Sequence, residues 1–112
     1  MPTTVDTFPV ADGDTIRLQV NIGDAQEGGS AAVIAGKLVG KGDPIDTTIG
    51  ADLARRGEVL VVSSNVKDRR PETNWTSVTL VLASGQRSRR YAQEEIAEPG
   101  GVVNYVFAIT LT

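Results

Sequence analysis

The sequence predicts an all-β protein, built as an antiparallel sandwich of two sheets. Apolar residues recur at every second position rather than at every third or fourth. Segment 15–22 shows this most clearly, because its even positions are apolar and its odd positions are polar. Turn-forming residues also interrupt the chain at short intervals, as in a protein of many short strands.

These two patterns predict seven or eight short strands, separated by turns. The clearest candidates are Thr4–Val10, Thr15–Ile22, Ala31–Val39, Glu58–Ser64, Trp75–Ala83, Arg87–Glu95 and Val102–Leu111. Such a number of strands in 112 residues fits one domain spanning 1–112. It matches a sandwich of the immunoglobulin-like or jelly-roll type.

The composition of each strand predicts its place in a sheet. Val102–Leu111 is the most apolar and aromatic candidate and is expected to be central. Glu58–Ser64 is a nearly continuous apolar run, so it and Val102–Leu111 are expected to be covered on both faces. Arg87–Glu95 is polar on both faces and Thr4–Val10 contains Pro9, so both are expected at sheet edges.

Glycines and charge spacing predict the connections. Ser84-Gly85-Gln86 has the length of a hairpin turn between two strands. Gly36 lies inside the candidate Ala31–Val39 and predicts a bulge there. Residues 48–56 allow at most one short helical turn, with Gly57 available to end it.

The amino-acid inventory excludes several classes of function. The chain has no histidine and no cysteine, so it can form neither disulfides nor the usual zinc, iron–sulfur and haem sites. Histidine-based triads and cysteine nucleophiles are excluded for the same reason. No other catalytic set has the required spacing, and the chain is predicted not to be an enzyme.

Charge and hydropathy limit the partners. Eleven basic and 14 acidic residues give a net charge of −3, which argues against nucleic-acid binding. No apolar run approaches the roughly 20 residues that a membrane span needs. Residues 1–6 do not resemble a signal peptide, so the default expectation is a cytoplasmic protein; an extracellular one remains open if the chain is an excised domain.

Acidic residues in the turns offer one candidate ligand site. Asp12, Asp14 and Asp43 lie in loops that could converge at one end of a sandwich and bind calcium through carboxylate oxygens. Calcium is the only cofactor that the sequence suggests. The competing interpretation is favoured, because aspartate beside glycine is typical of turns in which the side chain bonds its own backbone.

Trp75 is the second candidate binding residue. It follows the polar stretch 65–74, where an exposed indole could stack on a carbohydrate or anchor a protein partner. With one Trp, two Tyr and two Phe, the chain has few aromatic rings for both a core and a binding platform. The competing interpretation is that Trp75 closes one end of the core.

These observations favour a non-enzymatic module that works by association with a protein partner or with itself. The positive indication is the apolar content of Glu58–Ser64 and Val102–Thr112, which could leave a sheet face for another subunit. The alternative hypothesis is a ligand-binding module, for calcium or a carbohydrate, that uses the acidic loops at one end.

Overall fold

The computed structural model describes residues 1–70 and 72–112, which form nine strands in two sheets and no helix. None of these residues therefore belongs to a helix that is long and apolar enough to cross a membrane. The strands are β1 (Thr3–Phe8), β2 (Ile16–Ile22), β3 (Glu27–Ile34), β4 (Lys37–Gly42), β5 (Ile45–Ile49), β6 (Val59–Lys67), β7 (Trp75–Ser84), β8 (Arg87–Ile96) and β9 (Val102–Leu111).

The first sheet has the strand order β1-β9-β6-β3-β4, and the second has the order β5-β2-β7-β8. Neighbouring strands are antiparallel except β1 and β9, which are parallel. The expected edge positions of β1 and β8 are confirmed, whereas β9 lies next to the centre of its sheet, which β6 occupies. The hairpin at Ser84-Gly85-Gln86 is also confirmed, since Ser84 pairs with Arg87 across it.

One hydrophobic cluster contains buried residues from both sheets. Leu60 and Phe107 of the five-stranded sheet and Leu18 and Leu80 of the four-stranded sheet are fully buried in it. They come from alternating positions, because successive side chains of a strand point to opposite faces. The inner face of each sheet is therefore the face that forms the core.

A buried hydrogen bond joins the two sheets. The Tyr105 hydroxyl on β9 lies 2.6 Å from Thr76 Oγ1 on β7. Thr76 Oγ1 in turn donates to the carbonyl oxygen of Glu95 at 2.8 Å, so the tyrosine is the donor in the first bond. Burial raises the pKa of the Tyr105 hydroxyl, which keeps the donating proton in place.

The predicted bulge at Gly36 is wrong, because the segment turns back there. Ala35 and Gly36 both have positive φ, 51° and 73°, and they connect β3 to β4 as a two-residue hairpin loop. Two successive positive φ values are typical of the type I′ turn, whose twist matches that of paired strands. The single candidate Ala31–Val39 is therefore two strands, with Ile34 paired to Lys37.

The segment near 48–56 contains a single turn, in line with the expectation of at most one, but the strand that precedes this turn was not expected. Ile45–Ile49 forms β5, which pairs with β2. A single turn follows, in which the Gly50 carbonyl accepts hydrogen bonds from the amides of Leu53 at 3.0 Å and Ala54 at 2.9 Å. With β4 and β5 added, the described part of the chain has nine strands where seven or eight were expected.

The expectation that β6 and β9 are covered on both faces is also wrong. Leu60 and Val62 of β6 are fully buried, but Val59 and Val61 are 41% and 39% exposed. Val102 of β9 is exposed as well. The apolar run 59–62 therefore faces the core on one side and solvent on the other.

Candidate association surface

The outer face of the five-stranded sheet carries a continuous line of apolar side chains. Val61 of β6 pairs with Val33 of β3 on one side and with Ala108 of β9 on the other. The same register continues to Leu38 on β4 and to Val5 on β1. We call this line across all five strands the apolar row; it consists of Leu38, Val33, Val61, Ala108 and Val5.

The apolar row is exposed to solvent at both of its ends. Leu38 is 59% exposed and Val5 is 77% exposed, and both are large apolar residues on edge strands. Val59 and Val102 lie on the same face, and they are exposed too. Of the nine exposed large apolar residues in the described part of the chain, six lie on this face, which are Val5, Val33, Leu38, Val59, Val61 and Val102.

The middle of this face has almost no charge. Glu27 and Lys67 pair with each other in register at one end of the sheet, and Lys41 lies on the edge strand β4. Between them, the alternation places valine, alanine, serine, threonine and asparagine on the outer face of β6 and β9. Depletion of charge at the centre distinguishes association surfaces from ordinary protein surface.

A shallow hollow lies beside the apolar row on the same face. It has a volume of about 240 Å³ and its side walls come from β3, β4 and β6. It forms because the outward residues next to the row are small; a Cβ added at Gly29 would meet nothing within 4 Å. We call it the outer hollow; its lining includes Gly29, Ala31, Lys41, Ser63 and Asn65.

The outer face of the four-stranded sheet has the opposite character. Arg17 of β2 forms an ion pair with Asp46 of β5, with 3.0 Å between Nη2 and Oδ2. The hydrogen bond from Arg17 lowers the pKa of the Asp46 carboxyl. Arg90 and Glu94 of β8 lie on this face as well. The two outer faces therefore differ strongly in charge, although both belong to β-sheets of similar size.

Side chains connect the two sheets along the β1–β8 side. Arg89 Nη1 donates to Asp6 Oδ2 at 2.9 Å, and the Tyr91 hydroxyl donates to the same oxygen at 2.8 Å. Gln93 Nε2 also donates to Thr4 Oγ1. Hydrogen bonds lower the pKa of Asp6: the bond from the Thr7 backbone, on the same strand, has the largest effect, and those from Tyr91 and Arg89 of β8 follow.

We expect acid to weaken this connection. The pKa of Asp6 is below its ordinary value of 3.8 in the folded state, so the unfolded chain binds the proton more readily. The stabilisation is therefore present above about pH 4 and is lost as the pH falls below 3.8 through the folded pKa. Urea midpoints measured from pH 5 to pH 2 should fall less steeply for Asp6→Asn than for the wild type.

The matched control for this pH series is Asp52→Asn. Asp52 is an exposed carboxylate that forms no ion pair with any of the residues described. Asp52→Asn changes the net charge as Asp6→Asn does, so it shows how much of the effect of Asp6→Asn comes from net charge alone. An Asp6→Asn curve parallel to that of the wild type would contradict the assigned role of Asp6.

The fold separates the aspartates that sequence analysis grouped as a calcium site. Asp12 and Asp14 lie in the β1–β2 loop, and Asp12 Oδ1 is 3.7 Å from Arg56 Nε. Asp43 lies in the β4–β5 connection, at the other end of β2. The β1–β2 loop leads into Ile16 at the start of β2, whereas Ile45, just after Asp43, pairs with Val20 near its end. Among residues 1–70 and 72–112, no three acidic side chains are placed to hold a metal ion.

Trp75 begins β7 and is 47% exposed. It pairs with Ile96, the neighbouring exposed apolar residue on β8. Its backbone carbonyl is held by Gln26, whose Nε2 donates to it at 3.0 Å. The indole therefore lies at the surface rather than inside the core, but Trp75 has no second aromatic ring opposite it in the register.

Sequence analysis did not identify Gln26 as an important residue. Its side chain is buried and contacts the loop between β6 and β7: Nε2 also donates to Asp68 Oδ1 at 3.1 Å, and Oε1 accepts from the amides of Arg69 at 2.7 Å and Arg70 at 3.2 Å. Nothing in the local sequence signals these contacts, because the partner loop lies more than 40 residues further along the chain.

Comparison with known proteins adds no relative: no family model, no curated protein and no solved structure matches the chain. The described surfaces are therefore what indicates the function. The outer face of the five-stranded sheet is the most unusual of them, because it combines an exposed apolar row, a charge-free centre and a hollow.

Proposed function

We propose that this protein is a non-enzymatic association module, and that it pairs with a second copy of itself through the outer face of the five-stranded sheet. The apolar row carries the proposal. Val33 and Val61 are large apolar side chains at the middle of the sheet, and they are 38% and 39% exposed to solvent. Apolar patches of this kind mark association sites in folded proteins.

The size of the face suits a dimer. Five strands spaced by about 4.8 Å, with β6 nine residues long at about 3.3 Å each, give a face of roughly 24 Å by 30 Å. Pairing two such faces would bury about 700 Å² on each copy, close to the roughly 800 Å² per partner of a standard stable interface. The apolar row extends over the full width of this area.

Charge favours this face over the other one. Two copies that each carry a net charge of −3 repel each other, and the repulsion is weakest where the contact surface has no charge. On the outer face of the four-stranded sheet, contact would remove Arg17, Asp46, Arg90 and Glu94 from water at a cost of several kcal/mol per ion. The five-stranded sheet needs no such desolvation at its centre.

The proposal includes the finer description of the fold, a β-sandwich of the immunoglobulin-like or jelly-roll type. It is supported by pairings between strands that are distant in the chain: β9 pairs with β6, although β7 and β8 of the other sheet lie between them in sequence. β2 lies between β5 and β7 in the same way. Such connections between two sheets are typical of Greek-key sandwiches.

A matched pair of charge substitutions tests the association. Val61→Glu places a carboxylate at the centre of the apolar row, whereas Val81→Glu places one on the outer face of the four-stranded sheet. Both variants have the same net charge. Analytical ultracentrifugation over a concentration series should show a wild-type dimer, an unchanged dimer for Val81→Glu and at least 100-fold weaker dimerisation for Val61→Glu, because its carboxylates become buried without a partner.

Urea denaturation monitors whether each variant is folded. A wild-type chain that stays monomeric at several hundred micromolar would overturn self-association as the function of this face. Equal dimerisation of both variants would show that the dimer uses a different surface. Adding millimolar calcium in the same series tests the ligand-binding alternative, which requires a rise in the urea midpoint.

A further inference from the structure

We infer that the two copies pack with their strands in opposite directions, so that the apolar row of each copy enters the outer hollow of the other. This inference rests on the proposed association and specifies its geometry. It predicts a two-fold axis that lies in the interface and runs across the strands. With residues paired across the sheet described as lying at one level, the axis passes between the level of Val61 and the level of Ser63 on β6.

The outer face of the five-stranded sheet is uneven. Val33 and Val61 form a ridge on β3 and β6, extended by Leu38 on β4. The next outward residues on β3 and β6 are Ala31 and Ser63, which pair with each other in register. These residues are smaller and line the outer hollow, so a ridge and a groove lie side by side on the same three strands.

The direction of the two-fold axis decides whether a ridge meets a groove. In a symmetric dimer the same patch meets itself through a two-fold axis. An axis along the strands keeps every residue at its own level, so the ridge of one copy meets the ridge of the other and both hollows stay unfilled. An axis across the strands exchanges neighbouring levels, so that Val61 lies over Ser63 and Val33 lies over Ala31.

Of the residues described, Lys41 is the one charged residue that lines the outer hollow. Lys41 pairs with Ala31 on the edge strand β4, and the same axis places it over Leu38 of the other copy. A lysine at an edge can lay its methylene groups on an apolar neighbour while its ammonium stays in water. The arrangement therefore buries no charge. A lysine on one of the inner strands of the sheet would have had its ammonium group buried in the contact.

Spin labels on introduced cysteines measure the direction of packing, and the natural chain has no cysteine to interfere. Lys67 ends β6 and Glu58 directly precedes it, so they mark the two ends of the central strand. Opposed strands place the two Lys67 positions about ten residues apart along the strand direction, or about 35 Å with the sheet separation included. Strands in the same direction place them within about 15 Å.

Double electron–electron resonance on a Lys67→Cys dimer should therefore give a distance near 35 Å. A mixture of Lys67→Cys and Glu58→Cys copies should add a distance below 20 Å, because these positions lie over each other. A short distance within the Lys67→Cys dimer would overturn the inferred packing while leaving self-association intact. Absence of any dimer in the ultracentrifuge would instead overturn the proposed function, so the two failures are distinguishable.

Filling the hollow provides an independent test. Ala31→Leu occupies the space that the ridge of the partner would enter, and we expect at least tenfold weaker dimerisation. Thr79→Leu makes a similar addition on the outer face of the four-stranded sheet and should leave dimerisation unchanged. Unchanged dimerisation of Ala31→Leu would show that the hollow takes no part in the contact.

Discussion

Replacing Leu60 by alanine is expected to lower the free energy of unfolding by about 3 kcal/mol. Leu60 is fully buried on the inner face of β6 and pairs with Ile109 and Ile34, which are also buried. Truncation removes its apolar contacts and leaves a cavity. Because β6 is hydrogen-bonded to a strand on each side, it cannot move to close this cavity. Urea denaturation at low protein concentration measures the loss without a contribution from association.

Leu38→Ala is the matched control, because it is the same substitution on the same sheet but on the exposed outer face. It should change the unfolding free energy of the monomer by less than about 1 kcal/mol, and it should weaken dimerisation instead. The Leu60→Ala dimer should keep its affinity while the chain remains folded. Equal losses of stability in the two variants would contradict the assignment of inner and outer faces.

The local pattern of the sequence could predict four of the strands closely. The expected strands Thr15–Ile22, Trp75–Ala83, Arg87–Glu95 and Val102–Leu111 agree with β2, β7, β8 and β9 within one residue at each end. Burial of a single face selects alternation, and glycine-containing turns set the ends. The failures at β4 and β5 have local causes. Ala35 gives no sign of its positive φ, and Ile45–Ile49 is only five residues long.

The candidate surface could be predicted only in part. The apolar content of 58–64 and 102–112 indicated a sheet face available for a subunit, but the same run also suggested strands covered on both sides. Composition cannot distinguish these cases, because both give apolar residues at successive positions. The apolar row depends on the register of five strands, and that register joins residues as distant as Val5 and Ala108. The aspartate grouping failed for the same reason, since its loops end at different levels of β2.

Replacing Gln26 by methionine is expected to lower the free energy of unfolding by about 3 kcal/mol, because one buried and several half-buried polar groups lose their partner at once. The amide of Gln26 donates to Asp68 and to the carbonyl of Trp75, and its oxygen accepts from the backbone of Arg69. Methionine has a similar length but cannot replace these bonds. The charge of the buried Asp68 carboxylate then remains without its amide donor.

Hydrogen exchange locates the effect of Gln26→Met. The amides of Arg69 and Arg70 should lose protection, whereas those of the paired strands β6 and β9 should keep theirs, because the glutamine acts on the loop and not on the sheet. Gln19→Met on the outer face of β2 removes an amide of the same size and should cost less than about 0.5 kcal/mol. If the amides of Arg69 and Arg70 stayed protected, the loop would not depend on Gln26 for its position.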